Sequence, residues 1–156
     1  MSYDFNADEV FEIAEQIERN GAKFYRAGAE KIIDSDKKKL LIELAEMEDE
    51  HEITFKKMRA ELTTDEKVIM TFDPEGEAEK YLRALADTRV FYDKKIDTNS
   101  MEKILKSAIT AEKDSIVFYL GMKEVVPINL GKQKLDKIIK EEMTHISLLS
   151  KELLSL

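Results

Sequence analysis

Residues 6–62 read NADEVFEIAEQIERNGAKFYRAGAEKIIDSDKKKLLIELAEMEDEHEITFKKMRAEL, and this stretch decides the fold. In its first half Val10, Ala14, Ile17, Gly21, Phe24, Gly28 and Ile32 recur at intervals of three and four, with Glu12, Arg19, Lys23, Arg26 and Glu30 on the opposite side. That is the apolar stripe of an amphipathic helix. The helix is expected from Asn6, with Glu9 three residues on as a capping box, to about Ile33. There Asp34-Ser35-Asp36 offers the backbone competing side-chain acceptors. A second helix is expected from about Asp36 to Leu62, so that a tight turn folds the pair into an antiparallel hairpin.

The rest of the chain repeats this plan. Residues 63–98 lose the periodicity, carry Asp73-Pro74-Glu75-Gly76 and hold one short amphipathic stretch near Ala78 to Ala86, which reads as a crossover with a short helix. A third long helix is expected from near Asn99, again with a glutamate three residues on (Glu102), to about Lys123. Pro127-Ile128-Asn129 breaks it before a fourth, from about Leu130 to Leu153. Two hairpins joined by a long connection make an all-α, ferritin-like antiparallel four-helix bundle, with the crossover between helices 2 and 3 and residues 1–156 forming a single domain.

Composition agrees and excludes several chemistries. Charged residues make up 37% and apolar residues 43% of the chain, with only five Gly and two Pro to interrupt helices. The net charge of -8 is spread along the chain, which argues against a nucleic-acid surface. No segment approaches a membrane span and the N-terminal residues lack the pattern of a secretory signal, so a cytoplasmic protein with no membrane partner is expected. Without cysteine there is no disulfide, thiolate metal site or Cys nucleophile, and any metal must sit on carboxylates and imidazoles.

The two histidines each follow a glutamate by three residues, as Glu48-Asp49-Glu50-His51 and Glu142-Met143-Thr144-His145, a spacing that puts both side chains on one helical face. One such pair in a Glu-rich chain is weak evidence. The context strengthens it: Glu18 precedes Glu48 by 30 residues and Glu112 precedes Glu142 by 30, so the halves repeat with an offset of 94. Tyr25 and Tyr119 follow Glu18 and Glu112 by seven residues, with Phe24 and Phe118 before them. Residues equidistant from a tight turn lie at one level of two antiparallel helices. The midpoints fall at position 33 in the first hairpin and at Pro127 in the second, so all four glutamates are expected to meet at mid-bundle.

Their helical neighbours are mostly apolar, with Ser115 beside Glu112 and Glu52 beside Glu48 among the polar exceptions. Glu112 shares a face with Leu105, Ala108, Ile109, Ile116 and Tyr119, Glu142 with Leu135, Ile138, Ile139, Ile146 and Leu149, Glu18 with Phe11, Ala14, Gly21, Ala22 and Tyr25, and Glu48 with Leu41, Leu44, Ala45 and Phe55. Four ionised carboxylates buried together without compensation are prohibitive. Two divalent cations balance them, and two neutral imidazoles complete the set without adding charge.

These motifs resemble those of the rubrerythrin group within the ferritin-like di-iron carboxylate proteins, over essentially the whole chain. The resemblance implies that Glu18 and Glu112 act as terminal carboxylates, Glu48 and Glu142 bridge the metals, and His51 and His145 each take one metal. It also implies that Tyr25 and Tyr119 support the carboxylates from outside the ligand set. Two features depart from the pattern: Ser115 stands where rubrerythrins usually carry a further glutamate, and these 156 residues hold no cysteine for the rubredoxin domain that rubrerythrins usually carry.

The resemblance implies two iron ions, with manganese or zinc as substitutes, reacting with hydrogen peroxide or dioxygen and drawing electrons from an external donor protein, in a homodimer or small homo-oligomer. The alternative is an iron-binding, ferroxidase or iron-storage protein without peroxidase turnover. Met47, Met58, Met122 and Met143 read as core filling, and Glu46, Glu50 and Glu52 as solvated surface.

Overall fold

The computed structural model describes residues 7–62, 77–87, 100–126 and 131–156. Helices α1 (Ala7–Lys31) and α2 (Ser35–Ala60) form the first hairpin, α3 (Glu77–Asp87) is the short crossover helix, and α4 (Met101–Met122) and α5 (Lys132–Leu154) form the second hairpin. This is the expected four-helix bundle. The proposed cap at Asn6, the break at Pro127 and most of the crossover lie outside the described residues.

Local chemistry sets the ends. Asp34 caps α2: its backbone is extended and its side chain accepts hydrogen bonds from the amides of Asp36 and Lys37, both at 3.0 Å. The turn is therefore 32–34, with Ile33 fully exposed at its tip. The cap of α4 is Ser100 rather than Asn99. With φ -148° and ψ 157°, Ser100 accepts from the Lys103 amide at 3.2 Å, while Glu102 pairs with Lys106 along the helix. Helix α5 starts at Lys132, two residues later than the periodicity predicts, because Gly131 adopts the left-handed φ of 103° that ends the turn.

Two apolar clusters fill the bundle, one on each side of a polar middle. At the end that carries the turn of the first hairpin Phe24, Tyr25, Leu41, Leu44, Ile104, Leu105, Ala108 and Leu149 pack together. At the other end Phe11, Phe55, Phe118, Tyr119, Met122, Leu135 and Ile138 do so, joined by Leu82 of α3. Crossover helix α3 sits close to α4 because Gly121 has no side chain: a Cβ there would stand 2.7 Å from the Tyr81 ring. The Tyr81 hydroxyl donates to the Val117 carbonyl at 3.2 Å.

Two side readings are corrected. Met58 and Met122 are core, but Met143 is 52% exposed, because it lies about 100° around the helix from buried Glu142. Glu52 is not a free surface charge: it pairs with Arg19 at 3.0 Å and Lys56 at 2.8 Å.

Replacing Asp34 with Ala leaves the first amides of α2 uncapped and is expected to lower stability by about 1 kcal/mol. Urea unfolding at fixed metal content measures it, and an unchanged midpoint would contradict the capping role.

Candidate metal centre

Each long helix carries its part of the centre where its apolar stripe is interrupted at mid-length. Helix α1 gives Glu18 and α2 gives Glu48 and His51; α4 gives Glu112 and α5 gives Glu142 and His145. All six are buried, none more than 4% exposed. They fall into two groups, Glu18, Glu48, His51 and Glu142, and Glu48, Glu112, Glu142 and His145. Within each group one potential ligand atom per residue lies within 4.8 Å of all the others. Glu48 and Glu142 belong to both groups, whereas the remaining glutamates and the histidines divide between them.

The imidazoles turn their Nδ1 atoms inward. His51 Nδ1 lies 3.0 Å from Glu142 Oε1, 3.4 Å from Glu18 Oε2 and 3.7 Å from Glu48 Oε2. His145 Nδ1 lies 3.2 Å from Glu142 Oε2 and 3.4 Å from Glu112 Oε1. The rings stack, with centroids 5.9 Å apart and planes 22° from parallel.

The tyrosines cross between halves. Tyr25 of the first hairpin donates to Glu112 Oε1 of the second at 2.5 Å, and Tyr119 of the second donates to Glu18 Oε1 of the first. Each hydroxyl fixes the rotation of a carboxylate on the neighbouring hairpin. Burial first, and then the charges of Glu112 and Glu18 respectively, push both phenols well above their ordinary range, so they remain donors at neutral pH.

Three buried atoms here have no hydrogen-bond partner: Glu18 Oε2, His51 Nδ1 and Glu142 Oε1. They lie close to one another, as the distances above show, but are misaligned for hydrogen bonding. A buried polar atom left unpaired costs about 1–3 kcal/mol. Three such atoms facing one point fit a cation, and the donor set of carboxylate oxygens and imidazole nitrogens suits a first-row divalent metal.

Without metal, protons take the place of cations. Burial, then repulsion from the neighbouring carboxylates, raises Glu48 and Glu142 well above the ordinary range, which favours their protonated forms. Burial acts the same way on Glu18 and Glu112. There, however, contacts from Glu48 and His51, and from Glu142 and His145, prevail and keep both ionised, Glu112 at about 2. For the histidines burial favours the neutral ring, but the approach of Glu142 and Glu18 lifts His51 to about 11, and that of Glu112 and Glu142 lifts His145 to about 9. Protons drawn to Glu48, Glu142 and the two imidazoles thus offset part of the buried carboxylate charge when no metal is bound.

Sequence reasoning missed the contacts to the outer nitrogens of the histidines. His51 Nε2 meets Glu141 Oε2 at 2.6 Å, and His145 Nε2 meets Met47 Sδ at 3.3 Å. Met47 and Glu141 are related by the same 94-residue offset, which was the signal available. Gly21 and Ser115 form another such pair. A Cβ on Gly21 would stand 3.3 Å from Glu48 Cδ, and the Ser115 hydroxyl donates to its own helix at Ala111 O, 2.9 Å away.

The raised histidines set a pH dependence. Their charged forms contribute stability that is complete below the unfolded value of 6.5 and is lost as pH rises through about 9 for His145 and about 11 for His51. Glu48 and Glu142 act in the same direction, because the fold must keep or lose protons that the unfolded chain has already released. The metal-free protein is therefore expected to melt at lower temperature as pH rises from about 6.5 to about 9. Thermal unfolding in the presence of a chelator checks this, and a flat or rising profile would contradict it.

No family model matches the sequence, and no curated protein matches it either. Among solved structures, one described as a candidate ferritin-like diiron-carboxylate protein from Thermotoga maritima matches with a TM-score of 0.72 and 23% sequence identity, over 98% of this chain and 97% of that one. The present chain thus has the ferritin-like fold, with a buried Glu/His cluster able to bind metal at its middle.

Proposed function

We propose that the chain is a non-haem di-iron carboxylate protein, a rubrerythrin-like oxidoreductase that reduces hydrogen peroxide or activates dioxygen with electrons from an external donor protein. The observation that carries this reading is the set of unpartnered buried atoms, Glu18 Oε2, His51 Nδ1 and Glu142 Oε1, all in the first of two Glu3His groups that share Glu48 and Glu142. Glu18, Glu48, His51 and Glu142 would hold one ion, and Glu48, Glu112, Glu142 and His145 the other. The Thermotoga maritima neighbour, described as a candidate ferritin-like diiron-carboxylate protein, supports iron over manganese or zinc. Bound as a pair, ferrous ions supply the two electrons that, with two protons, convert hydrogen peroxide to two waters.

The protein's own part is positional. Tyr119 holds Glu18 Oε1 and leaves Oε2 facing His51, Tyr25 holds Glu112, and the apolar clusters on either side keep bulk water from the carboxylates. Among the described residues no helix is long and apolar enough to cross a membrane, which is compatible with the proposed cytoplasmic location.

Ser115 favours a second reading, iron binding or ferroxidase-linked storage without peroxidase turnover. Serine has no carboxylate, and its hydroxyl donates to Ala111 O, so this position of α4 brings no further acid where rubrerythrins usually carry one. Size separates the two: a storage shell of 18.0 kDa chains elutes at hundreds of kilodaltons, a rubrerythrin-like protein as a dimer or small oligomer.

Iron-loaded protein supplied with a reductant is expected to consume peroxide. Glu142→Ala should reduce this by at least about 100-fold, beyond the range of changes outside a ligand set, while the helical circular dichroism persists. Equal turnover by the variant would contradict the assignment.

A further inference from the structure

The two halves of the centre match closely, and one mismatch stands out. Under the 94-residue offset Glu18, Tyr25, Glu48 and His51 correspond to Glu112, Tyr119, Glu142 and His145, type for type. The residue just before each shared glutamate reaches across to the outer nitrogen of the opposite hairpin's histidine, and here the types differ. Glu141 places a carboxylate oxygen 2.6 Å from His51 Nε2, whereas Met47 places a thioether sulfur 3.3 Å from His145 Nε2. Both contacts are partly buried.

The difference is chemical as well as geometric. A carboxylate is a strong, charged acceptor: it keeps the proton on Nε2, fixes the ring and makes Nδ1 a more electron-rich donor toward the centre. A thioether is a weak acceptor and does little of this. The Glu141 side chain is one-third exposed and has Lys137 3.8 Å from its other oxygen, so it sits at the bundle surface beside the ring and not among the six inner residues.

We propose that Glu141 is a positioning residue that makes the two metal positions unequal, so that the position on His51 fills first and holds its ion more tightly than the position on His145. This rests on the metal-binding reading above. Outer-sphere partners of metal-bound imidazoles typically change affinity about 10–100-fold, and a gap of that size orders the loading of two sites.

The chain contains only these two histidines, so their ring nitrogens can be followed individually. The full chain, labelled with 15N in histidine and stripped of metal, is titrated with zinc ions while long-range 1H–15N spectra are recorded. The expected result is that His51 Nδ1 shifts within the first equivalent and His145 Nδ1 within the second. In Glu141→Gln the lead of His51 should shrink by about 10-fold or more. In Met47→Glu, which gives His145 a matching acceptor, the two rings should fill together. Parallel shifts in the unmodified chain, or His145 moving first, would overturn the proposal while leaving metal binding intact. An order unaffected by either substitution would also overturn it, since some other group would then set the order. No shift of either ring at two equivalents would overturn the metal reading and this proposal with it.

Discussion

Mutual repulsion among four carboxylates at the middle of the bundle is the constraint that the rest of the structure serves. Glu18, Glu48, Glu112 and Glu142 are withdrawn from water between two apolar clusters, where an isolated ionised carboxylate is strongly disfavoured. Their charge can be offset in two ways. In the metal-free state burial and repulsion favour the protonated forms of Glu48 and Glu142, and the neighbouring carboxylates favour the charged forms of both histidines. With two divalent ions, all four carboxylates would be ionised and both imidazoles neutral. Protons and metal ions would thus serve the same end, offsetting the charge of the buried carboxylates.

Charge compensation alone leaves the side chains free to rotate, and the crossed tyrosines limit that freedom. Because Tyr25 and Tyr119 each bind the glutamate of the opposite hairpin, they fix the carboxylates and lock the two hairpins in register. Gly21 lets α1 approach the Glu48 carboxyl, although a glycine within a helix costs about 1 kcal/mol relative to alanine. That cost recurs at Gly28, where a Cβ would meet the Ile104 side chain at 3.4 Å.

Much of this is legible in the sequence because helical periodicity and turn position are local properties. The 3.6-residue period gave four long helices, and the equal separations of 30 residues put Glu18 level with Glu48 and Glu112 level with Glu142. What was not legible depends on how helices rotate against one another. Spacing along α5 identifies Glu142 as inward but does not reveal that Glu141, next to it, reaches His51 on α2, nor that Met47 reaches His145. The pairing of Glu52 with Arg19 escaped for the same reason, since one partner is on another helix. Helix starts were misplaced by one or two residues at Ser100 and Gly131. Asn99 and Ser100 are both good caps by type, and only the backbone angles decide between neighbours.

The central claim is that the inner six residues form one centre for two metal ions. Iron content per chain after anaerobic loading with ferrous iron and removal of loosely held metal tests it most directly. The account predicts two irons per chain in the unmodified protein. Retention of no stoichiometric iron, or of a single ion at saturation, would contradict it.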